Sequence, residues 1–490
     1  MTQKAKVDKN STFEKKELKK KSENISDWYT DVILKAELAD YGPVRGTMVI
    51  RPYGFSIWEK VQEVFNDLIR QDGVQNAYFP LFIPHKLMMK EKDHVEGFSP
   101  ELALVTIGGG KKLEEPLVVR PTSETIMYEM YSKWIKSWRD LPIKINQWNN
   151  VVRWEKRTYL FLRTMEFLWQ EGHTAHAEEG EAIETALKAL EWYRIVYEDY
   201  YAIPVISGVK SESEKFPGAK TTYAVEPLMP DGKALQAATS HNLGQNFSKI
   251  FDISFQDENG ENKFVWQTSW GLSTRSLGGL FLVHGDDQGL IIPPKVAPIQ
   301  VVIIPIYKSS QEDQELEIYI EKIFNTLRDR GIKVFIDNRG GYSVGRKFND
   351  WEIKGVPIRI EIGEAEKKDN TVTVVRRDTN EKLSVSESDF SDEVYHLLDA
   401  IQENLFKKAG EFLRENTHQV SNYDEFKKIM SGKRGYIKAF WCEDAECEAK
   451  IKEETKATTR VRPLTEEESK GKCVHCGREA KHIWYFAQAY

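Results

Sequence analysis

Cysteine is scarce: four residues in 490, all within the last tenth of the chain. A secreted fold stapled by disulfides spreads its bridges through the sequence, so that class is excluded and a reducing cytosol is the expected compartment. No run of 18 apolar residues occurs, which excludes a membrane-spanning helix. The opening residues MTQKAKVDKNSTFEKKELKKKS hold no apolar stretch, so no secretory signal is read there. Glycine (31) and proline (18) make up one residue in ten, too few for a collagen-like or low-complexity chain. An excess of one charge is missing too: 69 Lys and Arg face 76 Asp and Glu, a net of −7. That balance excludes a uniformly basic nucleic-acid coat but not a local basic face.

The length suggests about three domains. Residues 1–24 read as a basic tail, with eight lysines in the first 22 residues against Asp8, Glu14 and Glu17. Such a run is either a solvated arm or an accessory contact to a polyanion. Residues 25–290 mix helices and strands without regular alternation, which predicts an α+β domain on an antiparallel sheet. Helices are expected at Ser56–Gln71, where Ile57, Val61, Val64, Phe65, Leu68 and Ile69 share a face, and at Glu181–Tyr200. Strands are expected at Leu117–Arg120, Ile143–Trp148, Phe161–Trp169 and Phe264–Thr268. Three prolines between Ile291 and Pro298 predict a linker. Residues 298–401 then read as a compact α/β module, with strands at Gln300–Ile306, Lys333–Ile336, Pro357–Ile362 and Thr371–Arg376. A third unit, 402–490, begins with a helix and carries every cysteine.

Two stretches concentrate chemistry. In Val152-Arg153-Trp154-Glu155 followed by Arg163-Thr164-Met165-Glu166-Phe167, two strands joined by a loop would gather Arg153, Glu155, Arg163 and Phe167 around one ligand. Arginine offers a planar fork to phosphate or carboxylate, glutamate accepts from an amino group, and phenylalanine gives a flat face to a base. Ordinary ion pairs on a hairpin are the competing reading. Downstream, Gly271-Leu-Ser-Thr-Arg275-Ser-Leu-Gly-Gly279 joins another arginine to glycines that permit close backbone approach. This is neither a P-loop nor a dinucleotide fingerprint.

Together these segments resemble the three signature motifs of class II aminoacyl-tRNA synthetases: Gly46–Gly54 ending in Pro52, then Arg153–Phe167, then the segment around Arg275. More specifically the chain resembles prolyl-tRNA synthetases of the archaeal/eukaryotic-like type, through Ala39–Gly46, Arg120-Pro-Thr-Ser-Glu-Thr125, Trp169-Gln-Glu-Gly-His-Thr174, Gln236–Gln245 and Trp270–Arg275. The resemblance runs from about Ile25 to Tyr490. It implies a class II antiparallel-sheet catalytic domain, an α/β anticodon-binding domain, and a small zinc-bearing α/β C-terminal domain. It implies an ATP-dependent cytoplasmic homodimer that joins proline to tRNA(Pro), with Pro52 at the dimer interface and Mg²⁺ arriving with ATP.

The resemblance also implies roles. Arg153 would hold the α-phosphate and the amino-acid carboxylate, and Arg163 and Arg275 the terminal phosphates; Arg153 and Arg275 would be catalytic. Glu155 would read the adenine amino group and Phe167 would stack on the base. Thr164, Gln236, Thr239 and Ser273 would complete the ATP site. Thr122 and Glu124 would bind the proline nitrogen, with His173 and His241 bordering the pocket. Read without the resemblance, His173 is a satisfied core histidine, and Thr122 caps a helix. In the α/β module, Arg346, Lys347, Glu361 and Arg376 are the anticodon candidates, with a solvated charged face as the alternative.

The cysteines fall as Cys442-x4-Cys447, a gap of 25, then Cys473-x2-Cys476, which matches a tetrahedral zinc site. His475 and His482 are substitute ligands should one cysteine point away. Phe167 and Gln236 stand only 69 positions apart, so the large editing insertion of many bacterial prolyl enzymes is missing. Alanine activation without hydrolysis in cis is the expectation. The rival readings are a synthetase for threonine or glycine and a non-catalytic RNA-binding paralogue.

Overall fold

A computed structural model describes residues 16–92, 101–155, 157–307, 314–465 and 468–490; the first fifteen residues of the predicted basic tail lie outside them. The architecture is mixed α+β. Two compact units form. One gathers the residues up to Asp40 with Ile50–Lys60 and His284–Lys407; the other gathers Tyr41–Val49, Val61–Val283 and Lys408–Tyr490.

The second unit is built on an eleven-stranded sheet. Its centre is the antiparallel run Ile143–Val152, Glu166–His176, Trp266–Ser273, Ala238–Gly244, Thr221–Glu226 and Ile206–Val209. Side chains alternate between faces along each strand. One face carries Gly172 and Trp270 and is covered by the helix Glu179–Ile195, whose Ala182, Ala186 and Ala189 let it lie close. Trp270 packs edge-on to Trp192 at 5.5 Å, and Phe65 stacks on Tyr193 at 5.4 Å. A Cβ on Gly172 would stand 2.2 Å from the Trp270 ring, so only glycine fits there. The other face holds the site described below.

The helix expected at Ser56–Gln71 runs Pro52–Arg70. Proline suits the first helical position because its missing N–H is not needed there. The helix expected at Glu181–Tyr200 is α-helical over Glu179–Ile195 and ends in a π turn, Val196–Tyr200. The strand expected at Phe161–Trp169 starts only at Glu166. Phe161 is held at φ 61° in the left-handed region, within a turn that pairs Tyr159 with Arg163.

The first unit contains a five-stranded sheet in the order Val334–Ile336, Val301–Ile306, Ile358–Gly363, Thr371–Arg376, Lys382–Ser386. Its first three strands are parallel and the last two add antiparallel. The predicted linker is not an exposed tether. Ile291, Ile292, Pro293, Pro294, Val296 and Ala297 are buried, and Leu290 and Ile292 N–H groups donate to Ile353 and Gly355 carbonyls at 3.0 Å. Leu290–Ile292 packs along the end of the helix Val344–Lys354, and Pro293 then opens a turn in which Val296 and Ala297 N–H groups donate to its carbonyl at 3.0 and 3.1 Å.

Apart from the short pair Gly471–Lys472 and Glu479–Ala480, the C-terminal strands of the second unit extend the same sheet. The strand Ala457–Pro463 pairs with Ile206–Val209, through Arg462 opposite Val209 and Pro463 opposite Gly208. Three further strands, His482–Gln488, Tyr436–Trp441 and Thr417–Gln419, extend the sheet beyond it. A buried ion triad fastens this junction. Glu226 accepts from Arg460 Nε at 2.5 Å and Nη2 at 2.9 Å, and from Lys210 Nζ at 3.1 Å. The boundary read at 402 falls inside the helix Phe390–Glu415.

Candidate active site

Strand register assembles the site in rows. His173 lies opposite Ser269, Ser269 opposite His241, and His241 opposite Thr222. In the next row Glu171 faces Gly271, and Gly271 faces Thr239. Trp169 lies opposite Ser273 in the row after that. These side chains floor a cavity of about 310 Å³. Thr122 and Glu124 enter from the start of the helix Glu124–Trp134, and Arg275 from the start of Arg275–His284. Arg153 and Gln236 reach the lining from loops.

One end of the cavity is rich in acceptors. Thr122 Oγ1 donates to the Glu124 carboxylate, and Ser123 Oγ donates to Glu171. Thr122 is therefore not the helix cap; that position belongs to Ser123, whose hydroxyl is turned to Glu171. Glu171 Oε1 also accepts from Gln147 at 3.1 Å and Asn149 at 2.6 Å. Its Oε2 lies 3.2 Å from His173 Nε2, and Tyr128 Oη lies 3.2 Å from Nδ1 of the same ring. Burial opposes charge on His173, but the bond to Glu171 and the fields of Glu124 and Glu171 outweigh it and raise its pKa. Burial also opposes charge on Glu171, and the same bonds outweigh it, so its pKa is lowered. His241 differs: burial, aided by the His173 charge, pushes it down to about 3, so its ring is neutral. Glu124, Glu171 and His173 offer ligand atoms within 4.8 Å of one another, a spacing a metal could also use. Their hydrogen bonds suit a cationic nitrogen better, since a metal needs an unprotonated imidazole and His173 is tuned the other way.

The other end is cationic. Arg153 Nε donates to Pro121 O at 3.1 Å, and its guanidinium lies over the Phe167 and Trp169 rings at 5.4 and 5.5 Å. The Arg153 side chain is exposed to the cavity, and the protein crowded around it lowers its pKa against the pull of Glu124, Glu171 and Glu155. Arg275 Nε donates to Leu162 O at 3.0 Å. Its pKa is lowered by burial and by the like charges of Arg153 and Arg163. Guanidinium groups that repel one another across an open cavity form a site for an anion of more than one charge.

Phe167, His173, His241, Gln236, Thr239 and Ser273 line the same cavity as Thr122, Glu124, Arg153 and Arg275. Glu155 and Arg163 do not; they pair with each other, Nη2 to Oε2 at 2.6 Å and Nε to Oε2 at 2.7 Å. Thr164 is buried and donates to the Glu166 carbonyl at 2.7 Å. Glu171, Trp169 and Ser269 were missed. Phe167, Trp169, Glu171 and His173 alternate along one strand, and that period of two was the available signal. Ser269 Oγ is buried and has no hydrogen-bond partner among the described residues.

The four cysteines also converge. All four sulfurs lie within 4.8 Å of one another, with Cys447 to Cys473 and Cys442 to Cys476 both at 3.6 Å. A tetrahedron with Zn–S bonds of about 2.3 Å has edges of about 3.8 Å, so the set fits zinc. Burial pushes the Cys442 thiol up to about 11 and Cys447 higher still. Burial opposes the Cys476 thiolate as well, yet Arg478 outweighs it and draws the pKa down to about 6. Four thiolates need a cation to ionise together, and Cys442, Cys447, Cys473 and Cys476 would hold it. His475 borders the cluster, with Nδ1 3.2 Å from Cys447 Sγ, whereas His482 pairs with Glu443 at 2.7 Å.

Family profiles match three segments: the tRNA synthetase class II core domain (G, H, P, S and T) at residues 106–282, an anticodon binding domain at 300–397, and the prolyl-tRNA synthetase C-terminal domain at 423–490. The proline–tRNA ligase of Natranaerobius thermophilus is 54% identical over 99% of this chain and 100% of its own length. This chain belongs to the proline–tRNA ligase family. Proline–tRNA ligase 2 of Clostridioides difficile is 52% identical over 97% of this chain and 98% of its own. Among solved structures, the prolyl-tRNA synthetase of Cryptosporidium parvum, crystallised with halofuginone and AMPPNP, superposes with a TM-score of 0.92 at 43% identity, covering 96% of each chain. The class II core profile spans the whole cavity floor, and the prolyl-tRNA synthetase C-terminal profile spans all four cysteines. The anticodon binding domain profile covers the four candidates in the first unit. Lys347 is buried there and donates to Asp337 O at 2.9 Å. Glu361 pairs with Arg359 at 3.0 Å and Lys382 at 2.7 Å, and Arg376 pairs with Asp378 at 2.9 Å. Arg346 pairs with Asp350 at 3.2 Å. The described residues contain no helix long and apolar enough to cross a membrane.

Proposed function

We propose that this chain activates L-proline with ATP and transfers the prolyl group to the 3′ end of tRNA(Pro), working in the cytoplasm as a homodimer. The observation that carries the reading is one cavity with two chemistries: a hydrogen-bonded carboxylate pair at one end and mutually repelling arginines at the other. A secondary ammonium beside a carboxylate matches the first end, and a polyphosphate matches the second. Glu124, held by Thr122, accepts from the proline nitrogen, and Glu171 fixes His173 beside it. Arg153 stands between the ends and binds the proline carboxylate and the α-phosphate together.

The carboxylate is ionised at neutral pH, so activation needs no base. One carboxylate oxygen bonds to the α-phosphorus, the bond to pyrophosphate breaks, and pyrophosphate leaves with the negative charge. Arg153 and Arg275 offset the charge crowding, with Mg²⁺ entering as part of the ATP complex. Phe167 offers a face to the base, and Gln236, Thr239 and Ser273 border the nucleotide. Once ATP is present, Arg163 leaves Glu155 for phosphate and frees Glu155 for the adenine side, with Thr164 beside them on the nucleotide side. In the second step the terminal tRNA hydroxyl attacks the prolyl carbonyl and AMP departs.

Proline-dependent ATP–pyrophosphate exchange tests this. Exchange with proline and none with threonine or glycine is expected, and Arg153→Ala should abolish it in a folded protein. No exchange with proline would overturn the reading; full exchange by Arg153→Ala would overturn that residue's role. The short span from Phe167 to Gln236 supports activation of alanine without clearance of alanyl-tRNA. The cysteine cluster supports a structural zinc, and Arg346, Lys347, Glu361 and Arg376 belong to the module proposed to read the anticodon.

A further inference from the structure

One wall of the cavity is the loop between the strands Ile206–Val209 and Thr221–Glu226. Its Glu214, Lys215, Phe216 and Pro217 line the cavity. The Phe216 ring lies against His241, centroid to centroid 4.6 Å at 31°. Phe216 N–H donates to Thr222 Oγ1 at 2.9 Å, and that oxygen lies 3.0 Å from His241 Nδ1. The loop thus closes the acceptor-rich end of the site. Its internal order is two short turns: the Glu214 and Lys215 N–H groups donate to Ser211 O at 3.2 and 2.9 Å, and Ala219 N–H donates to Phe216 O at 3.0 Å.

The anchor comes from far along the sequence. Glu448, on the helix Ala445–Thr455, is buried at 5 % exposure. Ser211 Oγ donates to its Oε1 at 3.1 Å and Ser213 Oγ to its Oε2 at 2.5 Å, while Thr459 Oγ1 also donates to Oε1. One helical turn on, Lys452 Nζ lies 3.6 Å from the carboxylate of Glu214 in the same loop. The C-terminal segment does not need Glu448 to stay attached. It is held by strand pairing at Arg462 and Pro463 and by the Glu226–Arg460–Lys210 triad. Both oxygens of Glu448 take loop hydroxyls, so its removal frees the Ser211–Ser213 end of the loop rather than the segment, while Asn246 Nδ2 still donates to Gly218 O at 2.8 Å at the other end.

We infer that Glu448 is a positioning residue for proline binding: acting through Ser211 and Ser213, it holds the loop that sets Phe216 and Pro217 against His241. The inference rests on the proline-ligase reading above. The test is ATP–pyrophosphate exchange with Ser213→Ala and Glu448→Gln, varying proline at saturating ATP and ATP at saturating proline. Ser213→Ala removes one hydroxyl, bonded to Glu448 and 3.3 Å from Ser211 Oγ, at an exposed position, so it tests the inference even where Glu448→Gln folds poorly. Each variant is expected to raise the KM for proline about fivefold to tenfold, with kcat and the KM for ATP within about twofold of wild type. An unchanged KM for proline in Ser213→Ala, or equal rises in both KM values, overturns the inference. Absence of proline-dependent exchange in the wild-type protein instead overturns the functional reading, so the two failures are distinguishable.

Discussion

Replacing Arg275 by alanine tests the cationic end of the cavity most directly. The guanidinium is fixed by its Nε bond to Leu162 O, which directs the two terminal nitrogens to a ligand. Each can make one charge-assisted hydrogen bond to phosphate, worth about 1.5–3 kcal/mol. Losing both removes about 3–6 kcal/mol. Part of that is offset, because Arg153 and Arg163 no longer face a third like charge. A net loss of about 3 kcal/mol corresponds to a fall of about 100-fold in kcat/KM for ATP, at 1.4 kcal/mol per factor of ten. The assay is ATP–pyrophosphate exchange at saturating proline with ATP varied. Melting curves form the second readout: ATP should raise the Tm of the variant less than that of wild type, while the rise produced by proline persists. Arg275→Lys keeps the charge without the planar fork and should fall between the two. A variant within about threefold of wild type in kcat/KM for ATP would refute the argument that these arginines form the polyphosphate site.

Other consequences are open to measurement. The folded pKa of His173 is raised above 6.5, so its contribution to stability is fully present below pH 6.5 and fades as the pH climbs through the raised value. The Tm difference between wild type and His173→Gln should shrink over that range; a difference independent of pH would contradict the Glu171 pairing. His241, held neutral down to about 3, costs stability as the pH falls through 6.5, because only the unfolded ring takes up a proton; wild type and variant share that cost, so it drops out of their difference. Arg460→Met leaves Glu226 buried with only Lys210 of its two cations, a loss of about 3–5 kcal/mol that should lower the urea midpoint. An unmoved midpoint would show the triad to be energetically idle. Cys473→Ser should purify with less zinc than wild type by metal analysis, and undiminished zinc would exclude the four-thiolate site.

Elements with a clear hydrophobic period were legible in the sequence. Thr371–Arg376 forms as read, and Ile143–Trp148 lies within a longer strand ending at Val152. Phe161 was misread because its left-handed conformation is imposed by a turn and announced by no glycine. The Pro-rich stretch after Ile291 was read as a tether because local composition does not reveal which surface it packs on. In the site, the motif residues carried their own signal, and strand alternation would have added Trp169 and Glu171. Neither approach reaches Glu448, which meets Ser211 across 237 positions of sequence. Its neighbours exist only once Ala457–Pro463 has paired with Ile206–Val209.

That pairing bears on how the protein can be dissected. A chain cut before Lys408 would keep the whole cavity lining but leave Ile206–Val209 as a bare strand edge, with Lys210 and Glu226 beside it stripped of Arg460. Unpaired backbone amides on such an edge template pairing with another chain. The predicted outcome of removing the last 83 residues is a protein that self-associates in solution before its chemistry can be assayed.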